Sequence, residues 1–278
     1  MAMHTGTIQI ACGGAPLTIA HARWGEHPRT LVLLHGGSGS RGHWARNVGP
    51  LAEHFSVVVP DLPGYGDSGD IPPGTDMDTY VELVCETLRT LLPGQAPFHL
   101  AGFSYGGLMA GGVAVRLPQR VRALTLLAPS GFGPPVGREI VLRKRKPGMS
   151  EAELDAVFRH NVQDMMLHRP EAVDDATVAL YRSDIERARF RNWQLSWADV
   201  TPGNLARIRC PLQLIWGERD RTANPSLASR LEHTRAILPD VPIHILPATG
   251  HWAQYERPRE VNGLLSSFHL AADVRPCE

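Results

Sequence analysis

Phe98-His99-Leu100-Ala101-Gly102-Phe103-Ser104-Tyr105-Gly106-Gly107 carries an apolar strand pattern straight into a helix pattern of small residues. A serine flanked at two-residue distance by glycines, with a strand before it and a helix after it, sits on a tight strand-to-helix turn. Such a turn leaves no room for a side chain at Gly102 or Gly106 and pushes the Ser104 hydroxyl above the edge of a sheet. The N-terminus of the helix behind it offers free N–H groups and the positive end of a dipole, where an acyl transfer would build negative charge. The turn therefore points to nucleophilic catalysis.

Outward from this turn, strands and helices alternate. Residues 6–11 and 17–24 read as strands around Gly13-Gly14, and Thr30 to Leu34 as a strand buried on both faces. A helix pattern over 43–53 leads to a strand at 56–59, and one over 77–92 leads to the strand at 98–101. After the turn come a helix to about 117 and a strand at 123–127; later strands fall at 212–216 and 243–246, separated by a helix over 225–238 and closed by one over 257–270. Eight strands interleaved with helices imply an α/β class, a mostly parallel sheet covered on both faces, with ligands at the carboxyl ends of the strands. Between 131 and 204 no strand pattern occurs, while 151–166 and 174–191 are helical. Glycines and prolines mark both ends of this stretch. The expected division is a core of 1–131 and 205–278 with a helical cap at 132–204.

The chain has 278 residues, 43% of them hydrophobic, with 28 basic and 28 acidic residues. One large core fits that length, and a balanced charge favours a small-molecule substrate over nucleic acid or an anionic membrane. No apolar run reaches the roughly 20 residues of a membrane span, and the start lacks a basic then apolar leader, so a cytoplasmic location is expected. Cys12, Cys85, Cys210 and Cys277 are scattered and read as free thiols rather than a disulfide framework or a zinc site. Thirteen histidines show no ligand spacing, so no metal and no other cofactor is expected.

A serine hydroxyl needs a base to take its proton and a third group to hold that base. Trp216-Gly217-Glu218-Arg219-Asp220 leaves one late strand and Thr249-Gly250-His251 the next. The strand after the serine helix ends Leu127-Ala128-Pro129-Ser130 without an acid, so Asp220 is preferred as the third group, ahead of Glu218, and His251 as the base. An oxyanion site needs uncrowded backbone N–H groups. His35-Gly36-Gly37-Ser38-Gly39-Ser40 supplies such a loop after a strand. Gly37 and Tyr105 are the expected donors, with Ser38 as the competitor for the first, and His35 as a prop for the loop.

Together, His35-Gly36-Gly37, Asp61-Leu62-Pro63-Gly64-Tyr65-Gly66-Asp67-Ser68, the serine turn, Asp220 and Gly250-His251 resemble the α/β-hydrolase-fold serine hydrolases across nearly all the chain outside the cap. Arg46-Asn47-Val48-Gly49-Pro50 and His251-Trp252-Ala253-Gln254-Tyr255-Glu256 are similar to hydrolases that cleave carbon–carbon bonds in meta-cleavage products of aromatic rings. Those enzymes carry polar amides where Phe103 and Arg46 stand here, so an ester, thioester or lactone stays open beside a vinylogous diketone. The resemblance implies a carboxylate-binding arginine near Arg182. The charges around it, Asp184 and Glu186 among Arg187, Arg189 and Arg191, read first as an ordinary ion-paired helix face. Phe103, Ser38 and Trp252 are further substrate-contact candidates, with Trp252 as readily core packing. Asp61 reads as a turn-builder. A homodimer is the default assembly.

Two other classes compete. Gly37-Ser38-Gly39-Ser40-Arg41-Gly42, with Asp61 some 20 residues on, spells a dinucleotide fingerprint, but it leaves Ser104, Asp220 and His251 unexplained. A non-catalytic binder on the same fold would share every motif. Arg143-Lys144-Arg145-Lys146 reads as exposed surface.

Overall fold

The computed structural model describes residues 3–135, 140–191 and 193–274. Eight strands form one sheet: β1 (Met3–Cys12), β2 (Ala15–Trp24), β3 (Thr30–Leu34), β4 (Ser56–Pro60), β5 (Phe98–Phe103), β6 (Val121–Leu127), β7 (Leu212–Gly217) and β8 (Ile243–Leu246). Their order is β1-β2-β4-β3-β5-β6-β7-β8, with β2 antiparallel to both neighbours and every pairing from β4 to β8 parallel. The mostly parallel eight-stranded sheet read from the alternation is present. Its central strands carry Leu, Val and Ile on both faces because helices cover both faces, and β3 through β7 are buried almost throughout.

The helices are α1 (Val48–Leu51), α2 (Met77–Leu91), α3 (Tyr105–Arg116), α4 (Glu151–Met165), α5 (Asp175–Glu186), α6 (Trp193–Ser196), α7 (Thr201–Leu205), α8 (Leu227–Ile237), α9 (Ala253–Glu256) and α10 (Pro258–Val274). Local chemistry sets several starts. Asp76, Asp174 and Ser226 cap α2, α5 and α8 by accepting a hydrogen bond from the N–H three residues on. Ser150 and Glu153 form a reciprocal capping box at α4. The helix expected over 43–53 is instead a 3-10 turn at Arg41–Trp44 followed by the short α1. Gly49 and Pro50 weaken the helix there, and Trp44 and His43 are both buried, so side-chain placement governs the backbone.

Helices α4 to α7 lie between β6 and β7. Chain exit and return meet at one neck: Val200 and Thr201 donate their N–H groups to the Gly131 carbonyl at 2.9 and 2.7 Å, Gly131 donates to Ser196 at 2.9 Å, and Phe132 bridges Asp199. Cys12, Cys85 and Cys210 are free thiols, and Cys277 lies outside the described residues. No helix among the described residues is long and apolar enough to cross a membrane.

The inserted segment is tied to the core through Asp184 of α5. Its side chain is fully buried and accepts the Ser40 hydroxyl proton at 2.6 Å, with His43 Nε2 at 3.6 Å and Arg187 Nη2 at 3.5 Å. Burial, opposed by the Ser40 hydrogen bond and the Arg187 charge, pushes its carboxyl up to about 6. The native state therefore holds this proton more tightly than the unfolded chain, and stability contributed by the neutral acid fades as pH rises between about 4 and 6. Asp184→Asn removes that loss. In urea unfolding, its stability relative to wild type should rise between pH 4 and pH 7, by at most about 3 kcal/mol. A difference that falls or stays flat over that range refutes the assignment.

Candidate active site

Ser104 stands between β5 and α3 with φ 54° and ψ −116°, a left-handed backbone rare for any side chain. What holds it there is close approach. A Cβ on Gly102 would meet the Gly106 carbonyl oxygen at 2.2 Å, and one on Gly106 would meet the His35 and Leu34 carbonyl oxygens at 2.3 and 2.5 Å. The serine N–H donates to the Leu127 carbonyl at 2.8 Å, pinning the turn to the end of β6.

His251 follows β8 and brings its Nε2 to 3.0 Å from the Ser104 Oγ, while its Nδ1 lies 2.9 Å from Asp220 Oδ2, past the end of β7. The three side chains picked from strand ends are thus brought into one hydrogen-bonded line. Asp220 is held in turn by Thr222, whose N–H and hydroxyl both donate to Oδ1 at 2.8 Å. Burial alone would raise the Asp220 carboxyl; the charge and hydrogen bond of His251 and the Thr222 donors outweigh it and keep the acid below its ordinary range, hence ionised. Glu218 instead accepts the Ala248 N–H at 3.0 Å at the surface. The loop carrying His251 is fixed by buried Glu256, which accepts the Gly250 N–H at 2.6 Å and, from the inserted segment, the His168 N–H at 3.0 Å and the Arg169 N–H at 2.5 Å.

The loop after β3 is propped by two neutral histidines. Leu62 N–H donates to His35 Nε2 at 2.8 Å, so Nδ1 carries the proton and donates to the Gly36 carbonyl at 2.8 Å. Gly36 N–H donates to His43 Nδ1 at 3.2 Å. Burial first, then the neighbouring His35 and His251, hold His43 well below its ordinary value, so it stays uncharged. Asp61 is a turn-builder: it accepts from Arg41 N at 2.7 Å and Asp67 N at 3.0 Å, and pairs with the Arg41 guanidinium at 2.5 Å. That use of Arg41 and Asp61, with two strands ahead of the glycines, leaves no dinucleotide cradle.

A cavity of about 330 Å³ opens over Ser104. Gly37, Ser38, Phe103 and His251 line its floor, and Met165, Tyr181, Ile185 and Trp197 of the inserted segment line its roof. Tyr105 is the first residue of α3, and its ring is buried against Tyr80 at 5.3 Å between centroids; its backbone N–H belongs to the unpaired first turn. Two sequence readings are corrected. Arg182 does not line the cavity, because Glu151 Oε2 at 2.6 Å and Glu186 Oε1 at 3.0 Å hold its guanidinium. Trp252 is not there either: it is fully buried, stacked on Tyr255 at 4.0 Å, and donates to the His43 carbonyl at 3.0 Å. Arg46, expected at an oxyanion-loop position, lies over the Tyr255 ring at 3.8 Å, outside the cavity lining. Thr222, Ser130, His43 and Arg230 line the cavity without having been singled out from the sequence. Thr222 could have been found from its place two residues past Asp220; the others depend on contacts between distant elements. Among the described residues no cluster of three His, Cys, Asp or Glu side chains could hold a metal ion.

Residues 31–264 match the model of the alpha/beta hydrolase family. The chain is 31% identical over 265 residues to the dihydrolipoyllysine-residue acetyltransferase component of the acetoin cleaving system of Pseudomonas putida, covering 88% of this chain and 66% of that protein. It thus spans about two thirds of that relative's length. It is 28% identical to the 2-hydroxy-6-oxo-6-phenylhexa-2,4-dienoate hydrolase of Burkholderia cepacia, over 86% of each chain. A solved structure described as a membrane phospholipase A, a bacterial virulence factor, superposes with a TM-score of 0.76 at 25% identity, covering 98% of this chain and 87% of that one. With its sheet order, serine turn and matched span in agreement, the chain belongs to the alpha/beta hydrolase family and is an enzyme of that fold.

Proposed function

We propose that the chain is a serine hydrolase acting on a small carbonyl substrate, with a carboxylic ester or lactone as the first reading. The observation that carries it is the line from Asp220 through His251 to Ser104, at 2.9 and 3.0 Å, ending under an open cavity. His251 Nε2 takes the Ser104 proton as Oγ attacks the carbonyl carbon. Ionised Asp220 holds the ring and stabilises the imidazolium. The carbonyl oxygen, now negative, is received by the N–H groups of Gly37 and Tyr105 at the head of α3. His251 then returns the proton to the leaving oxygen, and a water molecule activated by the same base releases the acyl group. The segment 132–204 acts as the lid that sets which carbonyl fits.

A second reading, hydrolysis of a carbon–carbon bond in a vinylogous diketone, is favoured by the Burkholderia cepacia relative. It stands second because Phe103 lines the cavity and Arg46 lies outside it, at the places where similar carbon–carbon hydrolases carry polar amides.

Labelling with a fluorophosphonate probe tests the nucleophile. Wild type is expected to label covalently at Ser104, and Ser104→Ala to lose the label completely. Equal labelling of the alanine variant would remove Ser104 from the mechanism.

A further inference from the structure

The cavity contains a cation that the hydrolytic machinery does not use. Arg230 sits on α8, after the loop that carries Asp220, and is one of the residues lining the cavity. It is 8% exposed, and its Nε and Nη1 have no hydrogen-bond partner. No carboxylate among the described residues lies within 4.0 Å of it. Its one close neighbour of note is the Phe132 ring, 4.5 Å from the guanidinium carbon. Stacking on an aromatic face orients the planar group but leaves its donors free. Nearby Asp220 is satisfied by His251 and Thr222.

A guanidinium removed from water with no carboxylate in contact costs free energy that packing alone does not recover. Burial lowers Arg230, opposed by the charges of Asp220 and Asp199 from beyond contact distance, to about 10, so it keeps its charge at neutral pH. The two arginines of α5 and its end that lie nearest the cavity roof are paired: Arg182 with Glu151 and Glu186, and Arg187 with Asp67. Ser130, whose hydroxyl is also unpartnered, lines the same cavity. The cavity is therefore lined by a fixed positive charge whose donors the protein does not take up.

We propose that Arg230 is an anion subsite within the reaction cavity, so that the substrate carries a carboxylate in addition to the carbonyl that Ser104 attacks. The planar fork of the guanidinium matches a carboxylate by charge-assisted hydrogen bonds, and the Phe132 ring beneath it fixes the plane. This deepens the serine hydrolase reading and rests on it for the position of the reacting carbonyl. The substrate class becomes half-esters of dicarboxylic acids and keto-acid analogues rather than neutral fatty esters.

The test compares the mono-p-nitrophenyl esters of succinic, glutaric and adipic acids with their neutral terminal carboxamides. Wild type should favour the best carboxylate over its carboxamide by about 10-fold or more in kcat/KM, and Arg230→Met should lower kcat/KM for the carboxylate by about 10- to 100-fold, mainly through KM. Turnover of the carboxamide should stay within about 3-fold, which also shows that the variant folds. Equal losses on both esters, or a wild type indifferent to the charge, would overturn the subsite. Independently of turnover, glutarate should raise the thermal midpoint of wild type and not that of Arg230→Met, with glutaramide inert on both. If inorganic phosphate shifts the midpoint and no dicarboxylate does, the carboxylate assignment falls. If glutarate shifts it while no ester is cleaved, the subsite stands and the hydrolase reading fails. If esters are cleaved with no effect of charge on rate or midpoint, the reverse holds.

Discussion

Asp220→Asn is expected to lower kcat about 10,000-fold while leaving KM within a few-fold, on the precedent of the same change in a serine protease triad. Asp220 Oδ2 accepts from His251 Nδ1 at 2.9 Å, and Oδ1 already takes two protons from Thr222. An asparagine must turn its oxygen toward the two Thr222 donors, which leaves its NH₂ facing His251. That NH₂ donates to Nδ1 and moves the imidazole proton to Nε2, where it blocks removal of the Ser104 proton. The other residues lining the cavity are unchanged, so binding should persist. Glu218→Gln is the control: Glu218 is at the surface, bound to the Ala248 N–H, and its loss should change kcat less than about 2-fold, as a surface substitution away from the site. Steady-state kinetics on one activated ester, with both variants checked by circular dichroism, decides the matter. A Glu218→Gln loss as large as that of Asp220→Asn would reassign the acid.

The sequence discloses the parts of this site that short-range chemistry dictates. A glycine-flanked serine after a strand, an acid after β7 and a histidine after β8 each announce themselves, because turns at strand ends need particular residues and the fold brings those ends to one edge. The side-chain choices among distant elements were less legible. Arg182 and Arg230 are both arginines on helices near the cavity; the family resemblance points to the first, although the acids interleaved around it already read as ion-pair partners. Only the packed structure shows that Glu151, 31 residues away in sequence, and Glu186 occupy Arg182 while nothing occupies Arg230. Trp252 follows the same logic. Its neighbour His251 reaches Ser104, but the indole turns the other way, onto Tyr255 and the loop around His43. Periodicity likewise overestimated the helix after β3, where burial of His43 and Trp44 shapes the backbone into a tighter turn.

The glycines of the serine turn make the second large effect. Gly106→Ala should destabilise the fold by about 4 kcal/mol or more, since both atoms its Cβ meets are backbone oxygens rather than yielding side-chain ends. Those oxygens, of His35 and Leu34 at 2.3 and 2.5 Å, stand at the end of β3 and just past it, where the start of α3 comes against the sheet. Relief requires α3 to lift from the sheet, which would break the Ser104 backbone contact to Leu127 and open a gap beneath Met109 and Val113, both fully buried. Gly263→Ala supplies the opposite case. Gly263 lies exposed on α10 with nothing within 4 Å of its added Cβ, so alanine there should raise stability by about 0.5–1 kcal/mol through helix propensity alone. Urea midpoints of the two variants against wild type provide the measurement. Equal and small shifts would mean that the turn relaxes freely, and that the strained backbone at Ser104 is not maintained by close packing of α3 on β3.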